Sequence, residues 1–235
     1  MKSSRSIWRV PGMVLGLALV ALASYALGWS HLLEVKKIEI SAGQEQQLIT
    51  SLLVPADLSV GQPMARIDTA KIDRTLAGLL WIKHKSISRN WLHGTVSIEL
   101  QARTPVATFI GTDGSSHYLD SEGVDFVLPV APESAASIPT ITFASDGSEY
   151  RRLAAELVPQ LPTDLVSAMQ SLRIVSPTDA IMVTATTGFK KLTIHWGDAS
   201  AISLKVNELR HLLALPENSK ITYVDLSTPA SPLVK

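Results

Sequence analysis

From Val10 to Leu33 the chain runs twenty-four residues without an Asp, Glu, Lys or Arg, directly behind Lys2, Arg5 and Arg9. A helix rises about 1.5 Å per residue, so roughly 20 apolar residues cross the hydrocarbon of a bilayer. Basic residues favour the cytoplasmic side, which puts residues 1–12 there and everything past residue 33 across the membrane. The rival reading is a cleaved signal peptide, because Ala21-Leu22-Ala23 ahead of Ser24 offers small residues at a cleavage spacing. Yet the run stays apolar through Tyr25, Ala26, Leu27, Trp29, Leu32 and Leu33, where a signal peptide would turn polar. Tyr25 and Trp29 suit the outer interface, where aromatic rings anchor a spanning helix. The expectation is a single transmembrane helix over 13–33 carrying an exported body.

Composition narrows the chemistry of that body. The chain has no cysteine, which excludes disulfides, thiolate metal sites and a cysteine nucleophile. Formal net charge is zero, but the charges lie in blocks. Residues 36–103 hold nine basic and six acidic residues, 107–150 seven acidic and no Lys or Arg, and 151–235 nine basic and seven acidic. No block is basic enough to argue for nucleic acid.

Two sections follow the apolar run. In the first, Val35–Ile40 reads as a strand, and Gln44–Leu53 as a helix with Leu48, Ile49, Leu52 and Leu53 on one face. Gly61-Gln62-Pro63 marks a loop. Asp68 can N-cap a second helix whose Ile72, Leu76, Leu79 and Leu80 recur at three and four. Ile82–Trp91 and Thr95–Ala107 read as strands, the second alternating through Val96, Ile98, Leu100, Ala102 and Val106. The second section reads as mainly β, with strands around Tyr118–Leu119, Val124–Val130 and Pro139–Phe143. Helices are expected over Tyr150–Val158, Pro162–Leu172 and Ile202–Leu215. A hairpin turning at Gly188 joins Ile181–Thr186 to Lys191–Trp196, and a final strand covers Ile221–Thr228. The fold class is therefore α+β, with a small βααββ unit ahead of a mainly antiparallel β domain.

An ordered series of short motifs runs through these elements. It comprises Gly61-Gln62-Pro63-Met64 with Ile67-Asp68, Leu80-Trp81-Ile82, Ile87-Ser88-Arg89-Asn90-Trp91, Val96-Ser97-Ile98 and Arg103-Thr104-Pro105-Val106-Ala107. Tyr118–Phe126, Gly197-Asp198-Ala199 leading into Leu204-Lys205, and Ile221–Pro229 continue it. The series resembles the bacterial cell-division family FtsQ, called DivIB in some bacteria. Leu92 stands where the family usually has Pro, and Ala102 where it usually has Glu. The resemblance implies a POTRA domain over 34–106, a β domain over 107–235, and a plasma-membrane anchor with the body outside the cytoplasm. It further implies a non-enzymatic divisome scaffold in septum formation, with no cofactor and no small-molecule substrate.

The candidate site lies in the last strand. Residues Ile221, Thr222, Tyr223, Val224, Asp225, Leu226, Ser227 and Thr228 alternate with apolar members on both faces. A strand at a sheet edge leaves backbone donors and acceptors for another chain. Internal pairing accounts for the pattern equally well, and the resemblance decides between them. In the FtsQ family, partners of the FtsB and FtsL type bind this C-terminal edge, Tyr223 and Leu226 being the expected selectivity side chains.

Other chemistry is thin. Asp120, Glu122 and Asp125 surround a glycine as calcium ligands can, but a tight turn wants the same residues. The six histidines share no metal-ligand spacing. Lys83, Lys85 and Arg89 alternate on one strand face and read as a solvated face rather than an acidic-partner or headgroup site. The alternative function is an exported cell-wall-modifying enzyme with a dispersed site, which requires Asp120, His117 and His195 to meet in one cleft.

Overall fold

In the computed structural model of the chain, the described residues are 9–29, 33–41, 49, 58–130, 138–184 and 191–235. They form a mixed α+β structure that divides into two compact units, Met1–Ala102 and Arg103–Lys235.

The first unit opens with helix α1, Arg9–Trp29, whose described side chains include exposed Met13, Leu15, Leu17, Leu19 and Leu22. Among the described residues no helix is long and apolar enough to cross a membrane.

Strands β1 (Lys37–Ser41), β2 (Ile82–Asn90) and β3 (Thr95–Ala102) form a sheet in the order β1-β3-β2, with β1 parallel and β2 antiparallel to β3. Helix α2, Thr69–Ala77, starts where the Asp68 carboxylate accepts from Lys71 N at 2.9 Å, and it buries Ile72 and Leu76, while β3 buries Val96 and Ile98. Leu80 falls past its end and is exposed. The expected helix over Gln44–Leu53 lies outside the described residues, save Ile49, which is helical and buried. What is described is consistent with the expected POTRA arrangement.

Two expectations for this unit change. Lys83, Lys85 and Arg89 do not form a solvated face. They alternate with the exposed His84, Ser86, Ser88 and Asn90 and lie half-buried on the other side. There the Lys85 ammonium donates to the Asp73 carbonyl at 2.7 Å and pairs with its carboxylate, and Arg89 donates to the Met64 carbonyl at 3.3 Å. The charged ends of Lys85 and Arg89 thus reach backbone oxygens from half-buried side chains, which a sequence pattern scores as merely polar. The strand expected over Thr95–Ala107 also breaks. β3 stops at Ala102, and Ala107–Ile110 is a separate strand, β4. Pro105 between them has no N–H to give a ladder.

Among the described residues, the second unit contains two sheets. β4 pairs with β5 (Ser116–Leu119), which pairs with β6 (Asp125–Phe126). The larger sheet has the order β12-β11-β10-β9-β8-β7. Its strands are β7 (Ile141–Phe143), β8 (Met169–Ser176), β9 (Asp179–Thr184), β10 (Thr193–Gly197), β11 (Tyr223–Asp225) and β12 (Leu233–Val234). The two parallel joins, β7 to β8 and β10 to β11, are crossed by helices, as parallel neighbours require. Helices α3 (Ser148–Leu157) and α4 (Thr163–Ala168) make the first crossing, and α5 (Ile202–Ala214) the second.

Leu153, Leu157, Val206 and Leu209 of the helices share one core with Leu172, Ile174, Met182, Ile194, Trp196, Val224 and Leu226 of the strands. The helix expected over Pro162–Leu172 ends at Ala168 instead. From Met169 the alternation of buried Leu172 and Ile174 with exposed Ser171 and Arg173 matches a strand against this core. The Gly188 turn lies outside the described residues, while the strands on either side pair antiparallel as expected.

Candidate partner-binding edge

Along β11 the pleat separates two jobs. Val224 and Leu226 are fully buried, while Ile221, Tyr223 and Asp225 are half-buried and Thr222, Ser227 and Thr228 exposed. The buried pair belongs to the core, Leu226 included. Tyr223 keeps its place on the outer side.

The strand is also shorter than expected and is not itself the sheet edge. On one side it pairs parallel with β10, Thr193 N donating to the Thr222 carbonyl at 2.9 Å and Leu226 N to the His195 carbonyl at 2.8 Å. On the other it pairs antiparallel with β12. Tyr223 N donates to the Lys235 carbonyl at 3.1 Å and Lys235 N to the Tyr223 carbonyl at 3.0 Å. Antiparallel residues alternate between such exchanging pairs and pairs whose backbone groups face outward. Val234, one position away, therefore points its N–H and C=O away from β11. The next outward position is Pro232, which has no N–H. The outer margin of β12 is blunted in the way edge strands commonly are.

A polar network ties the outer face of three strands together. His195 on β10 has Nε2 at 2.5 Å from the Asp179 carboxylate on β9 and Nδ1 at 3.0 Å from that of Asp225 on β11. Both ring nitrogens can donate only when the imidazole is protonated. Burial opposes that charge, but the hydrogen bonds to Asp225 and Asp179 outweigh it and raise the His195 pKa. For Asp225, burial acts upward and is overcome by hydrogen bonds from Ser227 and His195, which hold its carboxyl at about 2. The Tyr223 hydroxyl lies 3.4 Å from both His195 Nδ1 and Asp225 Oδ2. Burial, then the charge of Asp225, raises its pKa.

Behind β11, the loop after β10 fixes the strand's exit. Gly197 has φ +66°, and a Cβ there would stand 3.0 Å from Cα and Cβ of Ser227. Lys205 of α5 is fully buried, its ammonium donating to the carbonyls of Trp196 at 2.8 Å and Asp198 at 2.9 Å and to the Asp198 carboxylate at 3.0 Å. The sequence pattern gave Lys205 and His195 no role in the edge. A lysine on the apolar side of α5 was the one available signal.

Asp120, His117 and His195 enter three separate networks. Asp120 accepts from Glu122 N and Val124 N, both at 2.9 Å, closing a turn in which Gly123 takes φ +79°, and it pairs with Arg103. His117 bonds to Asp125 at 2.6 Å and Asp113 at 3.2 Å, beside a cleft of about 390 Å³ lined by Phe109, Phe143 and Asp146. No group of three or more His, Asp or Glu residues positioned to hold a metal occurs among the described residues.

No protein-family model matches the chain. The chain is 25% identical over 242 residues to the cell division protein FtsQ of Salinibacter ruber, an alignment covering 94% of this chain and 90% of that protein. Similarity through nearly the full length of both chains supports membership of the FtsQ/DivIB family.

Proposed function

We propose that this protein is a non-enzymatic scaffold of bacterial cell division. It sits in the plasma membrane by one helix and captures partners of the FtsB and FtsL type outside the cytoplasm by strand addition at the C-terminal edge. The observation that carries this reading is the near full-length similarity to FtsQ. The sequence supports the anchor: Val10–Leu33 contains no Asp, Glu, Lys or Arg. The domain plan accompanying it is a cytoplasmic tail over 1–12, the anchor over 13–33, a POTRA domain over 34–106 and a β domain over 107–235.

The partner strand takes residues 221–228 as its template. Because β12 already occupies the outer side of β11, the partner replaces β12 there and gains the longer ladder that Val234 and Pro232 alone cannot offer. Main-chain bonds supply affinity and Tyr223 lies against the incoming strand. Co-purification of the full chain with the FtsB–FtsL pair tests the proposal. Tyr223→Pro is the informative variant, since its N–H bonds to β12 and not to β10, so proline there spares the ladder to β10. Binding should be lost while thermal unfolding of the variant stays cooperative. Undiminished capture by Tyr223→Pro would overturn the strand-addition site, and failure of the unaltered chain to capture the pair would overturn the partner assignment.

A further inference from the structure

The turn between β2 and β3 carries apolar side chains that the first unit leaves uncovered. Leu92 is 91% exposed and Trp91 37%, the guanidinium of Arg89 lying 5.6 Å from the Trp91 ring centre. The turn is closed by Asn90, whose carboxamide oxygen accepts from His93 N at 3.2 Å, and by Gly94 at φ +67°. Asn90 and Gly94 thus hold the two side chains outward at the end of a nine-residue strand.

This tip is clasped to the start of β1. Lys36 N donates to the Gly94 carbonyl at 2.7 Å and Lys37 N to the same oxygen at 3.2 Å. A Cβ on Gly94 would meet the Glu34 carbonyl and the Lys36 stem, both at 2.8 Å. Lys36 follows the last residue of α1, Trp29, by seven positions. Seven residues of chain reach about 25 Å at most, so the tip stays within that distance of the end of α1. From Arg74 to Ile98 the sequence has no Asp or Glu, and Lys36 is exposed beside the turn, with the half-buried Glu34 next to it.

We infer that the Trp91–Leu92 turn is a second membrane contact, seated in the headgroup region of the bilayer that α1 enters. An aromatic ring with a polar N–H suits the interface, a leucine beside it can enter the acyl boundary, and the exposed Lys36 meets headgroup phosphates. The inference rests on the reading of α1 as the anchor. A helix alone leaves the unit free to swing, whereas a second contact at the turn fixes its tilt on the membrane.

The absence of native cysteine permits a direct test. Leu92→Cys, Ser86→Cys and Leu19→Cys, each carrying an environment-sensitive fluorophore, are placed in the full chain in phosphatidylethanolamine–phosphatidylglycerol vesicles containing nitroxide-labelled lipid. Ser86 is exposed on the polar face of β2, and Leu19 lies in α1. Quenching at residues 19 and 92, several-fold stronger than at 86, is the expected result. Quenching at 19 but not at 92 overturns the turn contact and leaves the anchor standing. A blue-shifted but unquenched label at 92 means a protein covers the turn, which also overturns the inference. An unquenched label at 19 removes the anchor and the inference together.

Discussion

The Lys205 ammonium donates to the carbonyl oxygen of Trp196 at 2.8 Å from a side chain with no solvent exposure. The same group bonds the Asp198 carbonyl and carboxylate, so one buried cation gathers the loop between β10 and α5. Lys205→Met keeps most of the volume but strips the donor from two carbonyls. An orphaned buried polar group costs about 1–3 kcal/mol. We expect a loss of that order in urea unfolding, read as a lower midpoint with unchanged slope.

Gly197 tests the next link, from that loop to the end of β11. Gly197→Ala meets both an unfavourable positive φ and the 3.0 Å approach to Ser227. Gly114 also has positive φ, at +78°, but nothing within 4 Å of its Cβ direction. Gly114→Ala should therefore show only the backbone cost, about 1–2 kcal/mol for a left-handed residue. Gly197→Ala should exceed it in the same denaturation experiment, and equal losses would mean that Ser227 does not confine the loop.

Protonation of His195 should couple stability to pH. Its folded pKa is raised, so its contribution is complete below its unfolded pKa, near 6.5, and is lost as pH rises through the folded value. Asp225 is held at about 2, so its contribution is present above the ordinary aspartate value near 3.9 and lost as pH falls toward 2. His117, raised chiefly by its hydrogen bond to Asp125, adds a second loss of the same sign. The unfolding midpoint should be highest between these limits and decline as pH rises through the folded histidine values. His195→Gln should flatten part of the decline, and adding His117→Gln should flatten more.

Periodicity made the framework legible where one face met one core. Ile72 and Leu76 in α2 and Val96 and Ile98 in β3 follow their expected spacing. It misled where a short apolar run fitted two periods. Leu165 and Leu172 suit a helix, yet Leu172 enters β8 because Ile174 pairs with it against the core. The His195 network was invisible because its carboxylates, Asp179 and Asp225, lie sixteen residues before and thirty after it, and only strand order joins them. The role of β12 was equally hidden, since Leu233-Val234 between Pro232 and Lys235 is too short to carry a period.

Under the proposed strand capture, β12 paired with β11 is a competitor within the chain. Releasing β12 breaks the bonds of Thr222 and Tyr223 to Lys235 and the pairing of Asp225 with Leu233, which is 62% exposed. Net contributions of about 0.5–1.5 kcal/mol per hydrogen bond make that release a modest cost. Deleting residues 232–235 should remove it in advance and tighten binding of the FtsB–FtsL pair by roughly tenfold, equivalent to ~1.4 kcal/mol. Titration of the deleted and full chains, monitored by anisotropy of a labelled partner, measures the change. If the partner instead docked on the outer side of β12, the deletion would abolish binding, because Val234 would no longer offer its outward N–H and C=O. The sign of the affinity change therefore distinguishes replacement of β12 from extension beyond it.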